Sequence, residues 1–289
     1  MKLITWNIQW CKGCDGRVAP RRIVDDARAM GDFDVLCLQE VAANFPGLDG
    51  SSGEDQFREL AELLPGFEPV AGIAVDLPDG KGGRRRFGNL VLSRLPVLRV
   101  LRHQLPWLPA GAKPGMPRML LEAVVRAPLG DIRVMTTHLE YYSAAHRAAQ
   151  VAAIRAVHAQ SCSHARRDAK RDNQGAGSED RDSPFQWSSH PASAVLTGDF
   201  NYKPDDDLHQ RMQDPVDNEG PRLIDSWVVA NPGIAHDHTL GLYDRKQWPA
   251  SYTSDFIYVT EDLAGQVRRV AVDLQTQSSD HQPVLIELG

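Results

Sequence analysis

Positive charge is not in excess in this chain: its 289 residues carry 32 lysines and arginines against 38 aspartates and glutamates, a formal charge of −6. No global positive field draws such a protein to nucleic acid, so a phosphate-rich substrate has to be met by a local site. Cysteine is also scarce. The four at positions 11, 14, 37 and 162 are too few for a disulfide scaffold at this length. Cys11 and Cys14 form a C-x2-C pair, but no second pair follows at zinc-ribbon spacing, and half a motif is weak support for a redox or zinc module. Cys37 lies inside an apolar run and reads as core. No uninterrupted apolar run has the length of a bilayer crossing. The opening residues, MKLITWNI, lack a basic region, a long apolar region and a small-residue cleavage site. The expectation is a cytoplasmic protein with neither a membrane nor an obligate protein partner.

What is abundant is core material: 42% of the residues are hydrophobic, enough to fill a sizeable interior. Residues 2–8 alternate, with Ile4, Trp6 and Ile8 on one face and Leu3, Thr5 and Asn7 on the other, which predicts a strand. Pro20 suits the first turn of a helix in which Ile23, Val24, Ala27 and Met30 recur at helical spacing. Residues 35–38 form a buried strand that ends in Gln39 and Glu40. A strand, a helix and a strand in about forty residues imply a right-handed crossover. The two strands are then parallel, their C-terminal ends share one sheet edge, and Asn7 can meet Glu40.

A second helix is expected over 54–64, strands over 88–93, 97–105, 119–126 and 132–138, and a long helix from Ser143 to about 160. Residues 163–191 are polar and without an apolar period, so they read as a loop insertion. Strands are expected again at 192–196, 252–259, 267–273 and 283–288.

Candidate chemistry collects at the predicted strand ends and the loops beside them, where open sheets gather ligand groups. Asp199 and Asn201 in TGDFN follow an apolar strand, and a period of two puts both side chains on one side. Asp280 and His281 precede the last strand, His138 ends another, and Asp255 begins one more. Each segment alone is equally readable as a turn or a solvated loop. Order and completeness make the set informative.

Taken in sequence order, TWNI (5–8), LQEV (38–41), GNLVLS (88–93), THL (137–139), GDFN (198–201), SDFI (254–257) and SDH (279–281) resemble the endonuclease/exonuclease/phosphatase superfamily over nearly the whole chain. The resemblance implies an α+β fold, a four-layer α/β/β/α sandwich with two central mixed β-sheets, as one domain over residues 1–289. It also implies a phosphoesterase using Mg²⁺ or Mn²⁺, with Glu40 as first metal ligand, Asn7 beside it and Asp280 contributing through water. Asp199 would activate water, Asn201 would hold the phosphate or that Asp, and His281, paired with Asp255, would stabilise the pentacovalent phosphorus. His138 would hydrogen-bond the phosphate or protonate the leaving group.

The implied substrate is a phosphate ester, with DNA and RNA among the candidates. TWNI, THLE and SDH look like the branch of deoxyribonucleases and tyrosyl-DNA phosphodiesterases. GDFNY and SDHQPV are similar to inositol-polyphosphate phosphatases, although no Arg follows Asp255 here as it does there. The expectation is therefore a nuclease-like phosphodiester hydrolase, with a phosphomonoesterase or a lipid or inositol phosphate phosphatase as the alternative. Arg84 and Arg86, which flank Arg85 after a Gly-rich turn, are candidates for binding phosphate. Trp248 is a candidate for stacking on a base. A non-enzymatic binding protein on the same scaffold would be signalled by loss of Glu40, Asp199 or His281, and none is lost.

Overall fold

Alternation in β1 (Lys2–Asn7) sets the layering, because successive side chains of a strand point to opposite faces. Leu3 enters an apolar layer between two sheets, whereas Ile4 and Trp6 face helices on the other side. The computed structural model describes residues 1–109, 115–172, 188, 190–216 and 220–289.

Among these residues twelve strands form two six-stranded sheets. The first runs β11 (Val267–Val272), β12 (Val284–Leu288), β1, β2 (Val35–Ala43), β4 (Arg84–Ser93), β3 (Glu68–Pro78). The second runs β5 (Val97–Gln104), β6 (Met119–Ala127), β7 (Gly130–His138), β8 (Ala194–Asp199), β10 (Asp255–Thr260), β9 (Leu223–Asp225). Each sheet is mixed: β1 and β2 are parallel, as are β7 and β8, and the other pairs are antiparallel.

Helices α1 (Pro20–Met30) and α2 (Gln56–Leu63) cover the first sheet through Ile23, Val24, Ala27, Phe57 and Leu60. Pro20 occupies the first turn of α1, where its missing N–H costs nothing. Asp55 caps α2 by accepting from the Arg58 amide. On the far side, α3 (Ala144–Asp172) and α4 (Asp207–Met212) set Val151, Ile154 and Met212 against the second sheet. Short α5 (Ser226–Ala230) adds Trp227 to the layer between the sheets, where Leu3, Val35 and Val91 meet Leu121, Val134 and Ile257. Each such aliphatic side chain contributes about 1.5–3 kcal/mol by leaving water. The layers are helix, sheet, sheet, helix, the order that the motif resemblance implies, and Cys37 is core.

Three elements depart from expectation. β2 does not stop at Glu40 but continues to Ala43 across a bulge: Leu38 pairs with Leu90 and Val41 with Gly88, one extra residue on β2. β3 escapes sequence reading because it is an edge strand whose outer part is exposed, so its side chains carry no clean alternation. The segment expected to begin a loop at 163 is helical to Asp172, since Ala, Arg and Lys favour helix without any apolar period. The remainder of that expected insertion, 173–187 and 189, lies outside the described residues. No helix among the described residues is long and apolar enough to cross a membrane.

Gly198 fixes how closely β8 approaches β7. Its φ is +142°, and a Cβ there would lie 1.9 Å from the Thr137 carbonyl oxygen. The tight pairing of Thr137 with Gly198 sets His138 beside Asp199. Gly198→Ala is expected to lower folding stability by about 3 kcal/mol. Urea unfolding of both proteins checks this, and an unchanged midpoint would refute the steric argument.

Candidate active site

Asn7 ends β1, and its side-chain amide reaches in two directions. Nδ2 donates to Glu40 Oε1 at 3.1 Å and to Asp199 Oδ2 at 3.0 Å, while Oδ1 accepts from the Gln9 backbone N–H. Glu40 sits on the β2 bulge in a left-handed conformation, φ +60°. The extra residue turns its side chain toward the strand ends rather than leaving it in the pleat. Asp199 is the last residue of β8, and its Oδ1 accepts from the Asn201 backbone N–H at 3.0 Å. Asn201, itself left-handed at φ +53°, is anchored by its Nδ2 to the Leu139 carbonyl.

His281 arrives on the loop before β12. That loop is pinned to β1 because Ser279 Oγ donates to the Asn7 carbonyl, and Trp6 Nε1 donates to the carbonyl of His281. His281 Nδ1 lies 2.9 Å from Asp255 Oδ2, leaving Nε2 at 3.7 Å from Asp199 Oδ2. Thr239 and Ser254 hydroxyls donate to the same Asp255 oxygen, fixing the carboxylate that orients the ring. His138 Nε2 is 3.4 Å from Asp199 Oδ2 and its Nδ1 3.8 Å from Glu40 Oε1.

Burial and charge give these groups different protonation states. Burial pushes the Glu40 carboxyl up to about 7, with Asp280 adding to the effect and Asn7 opposing it. Burial also raises Asp199, against the opposing pull of the His281 cation. For His281, burial disfavours the cation, but Asp255 and Asp199 outweigh it and hold the ring protonated well above the ordinary histidine range. His138 has the opposite fate: burial, then Arg118 and His281, keep it neutral.

All the expected catalytic positions therefore gather at one place, and His138, Asp199, Asn201 and His281 line a cleft of about 360 Å³, with Asp255 directly behind His281. The expected metal ligands divide. Glu40 lines the cleft as a carboxylate. Asn7 turns N–H donors, not its oxygen, toward the carboxylates, so here it acts as a clamp on them. Asp280 Oδ2 is occupied by N–H groups of Gln9, Gln247 and Trp248. Asp199, Asp255 and His281 also bring one potential ligand atom each within 4.8 Å of one another, His281 being a ligand there only in its neutral form.

Trp248 lines the cleft, but Arg84 and Arg86 do not. They lie on β4, where Arg84 pairs with Asp76 at 2.7 Å and Arg86 with Asp55 at 3.1 Å, so neighbouring carboxylates absorb their charge. The cation that does line the cleft is Arg118, which sequence reading missed because it precedes β6 in no recognisable motif. It is buried with Nε 3.7 Å from Glu140, and its Nε and Nη1 find no hydrogen-bond partner among the described residues. Gln9, Trp10, Tyr141, Tyr142 and Gln247 were missed as well. Their proximity to the site depends on loop paths that no local pattern encodes.

A cluster of buried carboxylates beside a protonated His, on a fold of two helix-covered mixed sheets, defines a metal-dependent phosphoesterase. The chain belongs to the Endonuclease/Exonuclease/phosphatase family, whose sequence profile spans residues 4–281. It is similar over its full length to an endonuclease/exonuclease/phosphatase from Beutenbergia cavernae, at 26% identity, 72% coverage of that chain and a TM-score of 0.67. A mannosyl-6-phosphatase from Bacteroides thetaiotaomicron matches at 17% identity, 100% and 99% coverage and a TM-score of 0.62. A humanized D. rerio TDP2 matches at 14% identity, 100% and 98% coverage and a TM-score of 0.62. These last two share the fold. No curated protein sequence is significantly similar.

The raised carboxyls have a thermodynamic sign. Glu40 and Asp199 hold protons more tightly folded than unfolded, so ionising them removes stability as pH climbs from about 4 toward the folded value of about 7 at Glu40. A divalent cation held by these carboxylates would return that stability. Adding Mg²⁺ to EDTA-treated protein should raise Tm more at about pH 8 than at about pH 5, where protons already neutralise the pair. Equal increments at both pH values would exclude these carboxylates as the binding groups.

Proposed function

We propose that this protein hydrolyses a phosphodiester with Mg²⁺ or Mn²⁺, using a water deprotonated by Asp199. The observation that carries the reading is the placement of Asp199 Oδ2 between an amide donor, Asn7, and two imidazoles of opposite protonation, His281 and His138. A carboxylate whose basicity burial has raised toward neutrality suits a general base. Asn201 holds Asp199 through its backbone N–H, leaving Oδ2 to face the cleft with Asn7 as its clamp. The His281 cation, oriented by Asp255, supplies positive charge where the phosphorane accumulates negative charge. Arg118, with two buried N–H groups unpartnered among the described residues, binds a phosphoryl oxygen. A ring held neutral is a poor general acid, so His138 serves as a hydrogen-bond partner of the phosphate.

The metal would be held at Glu40, whose carboxylate lines the cleft beside Asp199 and needs a cation to ionise fully at neutral pH. When bound it neutralises phosphoryl charge and stabilises the leaving oxygen.

Charge favours the diester. The positive groups of the cleft lining are Arg118 and protonated His281, and each already faces a carboxylate, Glu140 and Asp255 respectively. A singly charged diester asks less counter-charge of such a lining than a doubly charged monoester. Trp248 in the cleft supports nuclease-like substrates, whereas the pairing of Arg84 and Arg86 elsewhere and the charge of −6 disfavour long duplexes.

Asp199→Asn and His281→Ala should each lower kcat by about 10³-fold or more while leaving the fold intact. Hydrolysis of bis(p-nitrophenyl) phosphate with Mg²⁺, alongside circular dichroism, tests this. Near-normal rates in both folded variants would remove the assignment.

A further inference from the structure

Besides its reacting groups, the cleft has an aromatic wall. Trp10, Tyr141, Tyr142 and Trp248 line it, together with the side-chain amides of Gln9 and Gln247. Trp248 and Tyr141 meet edge to face at 5.7 Å. Both indole N–H groups are already satisfied, that of Trp10 by the Asp49 carbonyl and that of Trp248 by Asp280 Oδ2. What remains for a ligand at the indoles is ring surface, with one face of Trp10 taken by Lys12 Nζ at 5.6 Å from its centroid.

The wall is held at a conformational cost. Gln9, Trp10 and Cys11 are three consecutive non-glycine residues with positive φ, 43°, 45° and 61°. L-residues avoid this region, and such strain persists where surrounding contacts over-determine it. Here the contacts are visible: Gln9 Nε2 donates to Asp280 and Gln247, and Gln56 Nε2 donates to the Trp10 carbonyl. The turn thus brings Gln9 and Trp10 to the cleft lining.

Positive charge is as limited as aromatic surface is plentiful. Among the described lining residues Arg118 is the one lysine or arginine. Of the cations near the lining, Lys12 pairs with Asp49 and Arg147 donates to the Glu140 and Tyr141 carbonyls, while Arg245 and Lys246 are exposed on the loop before Gln247. A second or third phosphate on a substrate would face Glu40, Asp199 and Asp280 without a further counter-charge among the described lining residues.

We infer that the cleft selects a compact ester with one phosphate and one uncharged ring, the ring lying on the Trp10–Tyr141–Trp248 wall with the Gln9 side-chain oxygen and the second Gln247 N–H, the amide groups not engaged with Asp280 or with each other, as its polar contacts. This rests on the phosphodiesterase reading above and narrows its substrate class. A nucleobase offers a π-face to indole and a polyhydroxylated ring offers its C–H groups, and both offer hydrogen-bonding groups to amides.

The test is a panel of diesters with Mg²⁺: dithymidine monophosphate, glycerophosphoinositol, ringless glycerophosphoglycerol, and an oligothymidylate as the polyanion. The expected kcat/KM is about tenfold higher for at least one ring ester than for glycerophosphoglycerol, and oligothymidylate, per phosphate, does not exceed dithymidine monophosphate. Which ring ester leads separates base from polyol. Trp248→Leu and Trp10→Leu should each lower the ring-to-ringless ratio about tenfold. A higher rate on the polyanion, or equal losses on ring and ringless esters, would overturn the inference. Quenching of tryptophan fluorescence by the ring esters in Asp199→Asn gives a readout independent of turnover. Ring-dependent quenching that Trp248→Leu abolishes, with no ester hydrolysed by the unmodified protein, upholds the wall and removes the hydrolase. Hydrolysis of all diesters without ring preference does the reverse.

Discussion

Nδ2 of Asn7 donates to carboxylates from two different sheets, Glu40 from its own and Asp199 from the other. Two buried carboxylates would repel each other and raise each other's proton affinity, and the amide holds them together without adding net charge. Its own position is fixed by Gln9 on one side and by Ser279 at its carbonyl on the other. A second buried amide, Gln39, ties the sheets just below by donating to Thr5 and Thr136 hydroxyls. The sheets are therefore joined at the C-terminal ends of their parallel pairs by polar contacts and elsewhere by aliphatic packing. Directional bonds sit where position matters, and non-directional packing suffices where it does not.

Two histidines a short distance from the same Asp199 oxygen end in opposite states, and a single partner explains why. His281 has Asp255 on Nδ1, itself fixed by Thr239 and Ser254, so the imidazolium is paid for by a buried carboxylate. His138 has no such partner on Nδ1, which finds no hydrogen bond among the described residues, and it faces the cations of Arg118 and His281. Desolvation acts on both rings alike; the difference is the charge placed behind each.

Much of the fold was legible because strand ends leave local signatures. Alternation in β1, Pro20 opening α1 and the short crossover to β2 were enough to place Asn7 beside Glu40, and the ordered motifs brought Asp199, Asp255 and His281 to the same edge. The β2 bulge was not legible, since one residue too many shows only against the partner strand. Edge strand β3 hid for want of alternation, and α3 ran past its apolar stripe on propensity alone. Arg118 and the aromatic residues of the cleft belong to loops and segments beside strands whose meeting is a property of the chain path. Arg84 and Arg86 show the converse error: a basic run looks like a phosphate site until its carboxylate neighbours, Asp76 across the hairpin and Asp55 at the start of α2, are known.

Asp280 and His281 are adjacent in sequence but serve different halves of the cleft. His281 faces Asp199, while Asp280 Oδ2 gathers N–H groups from Gln9, Gln247 and Trp248. Three donors already occupy that carboxylate oxygen, so Asp280 is better suited to fixing the two loops than to holding a cation at that atom. The backbone between the two residues is short and buried, and Ser279 anchors it to the end of β1. The Trp248 loop and the segment that carries His281 are therefore held to one anchored stretch of chain. The ring surface proposed for recognition and the imidazole proposed to stabilise charge at phosphorus are joined through one peptide unit.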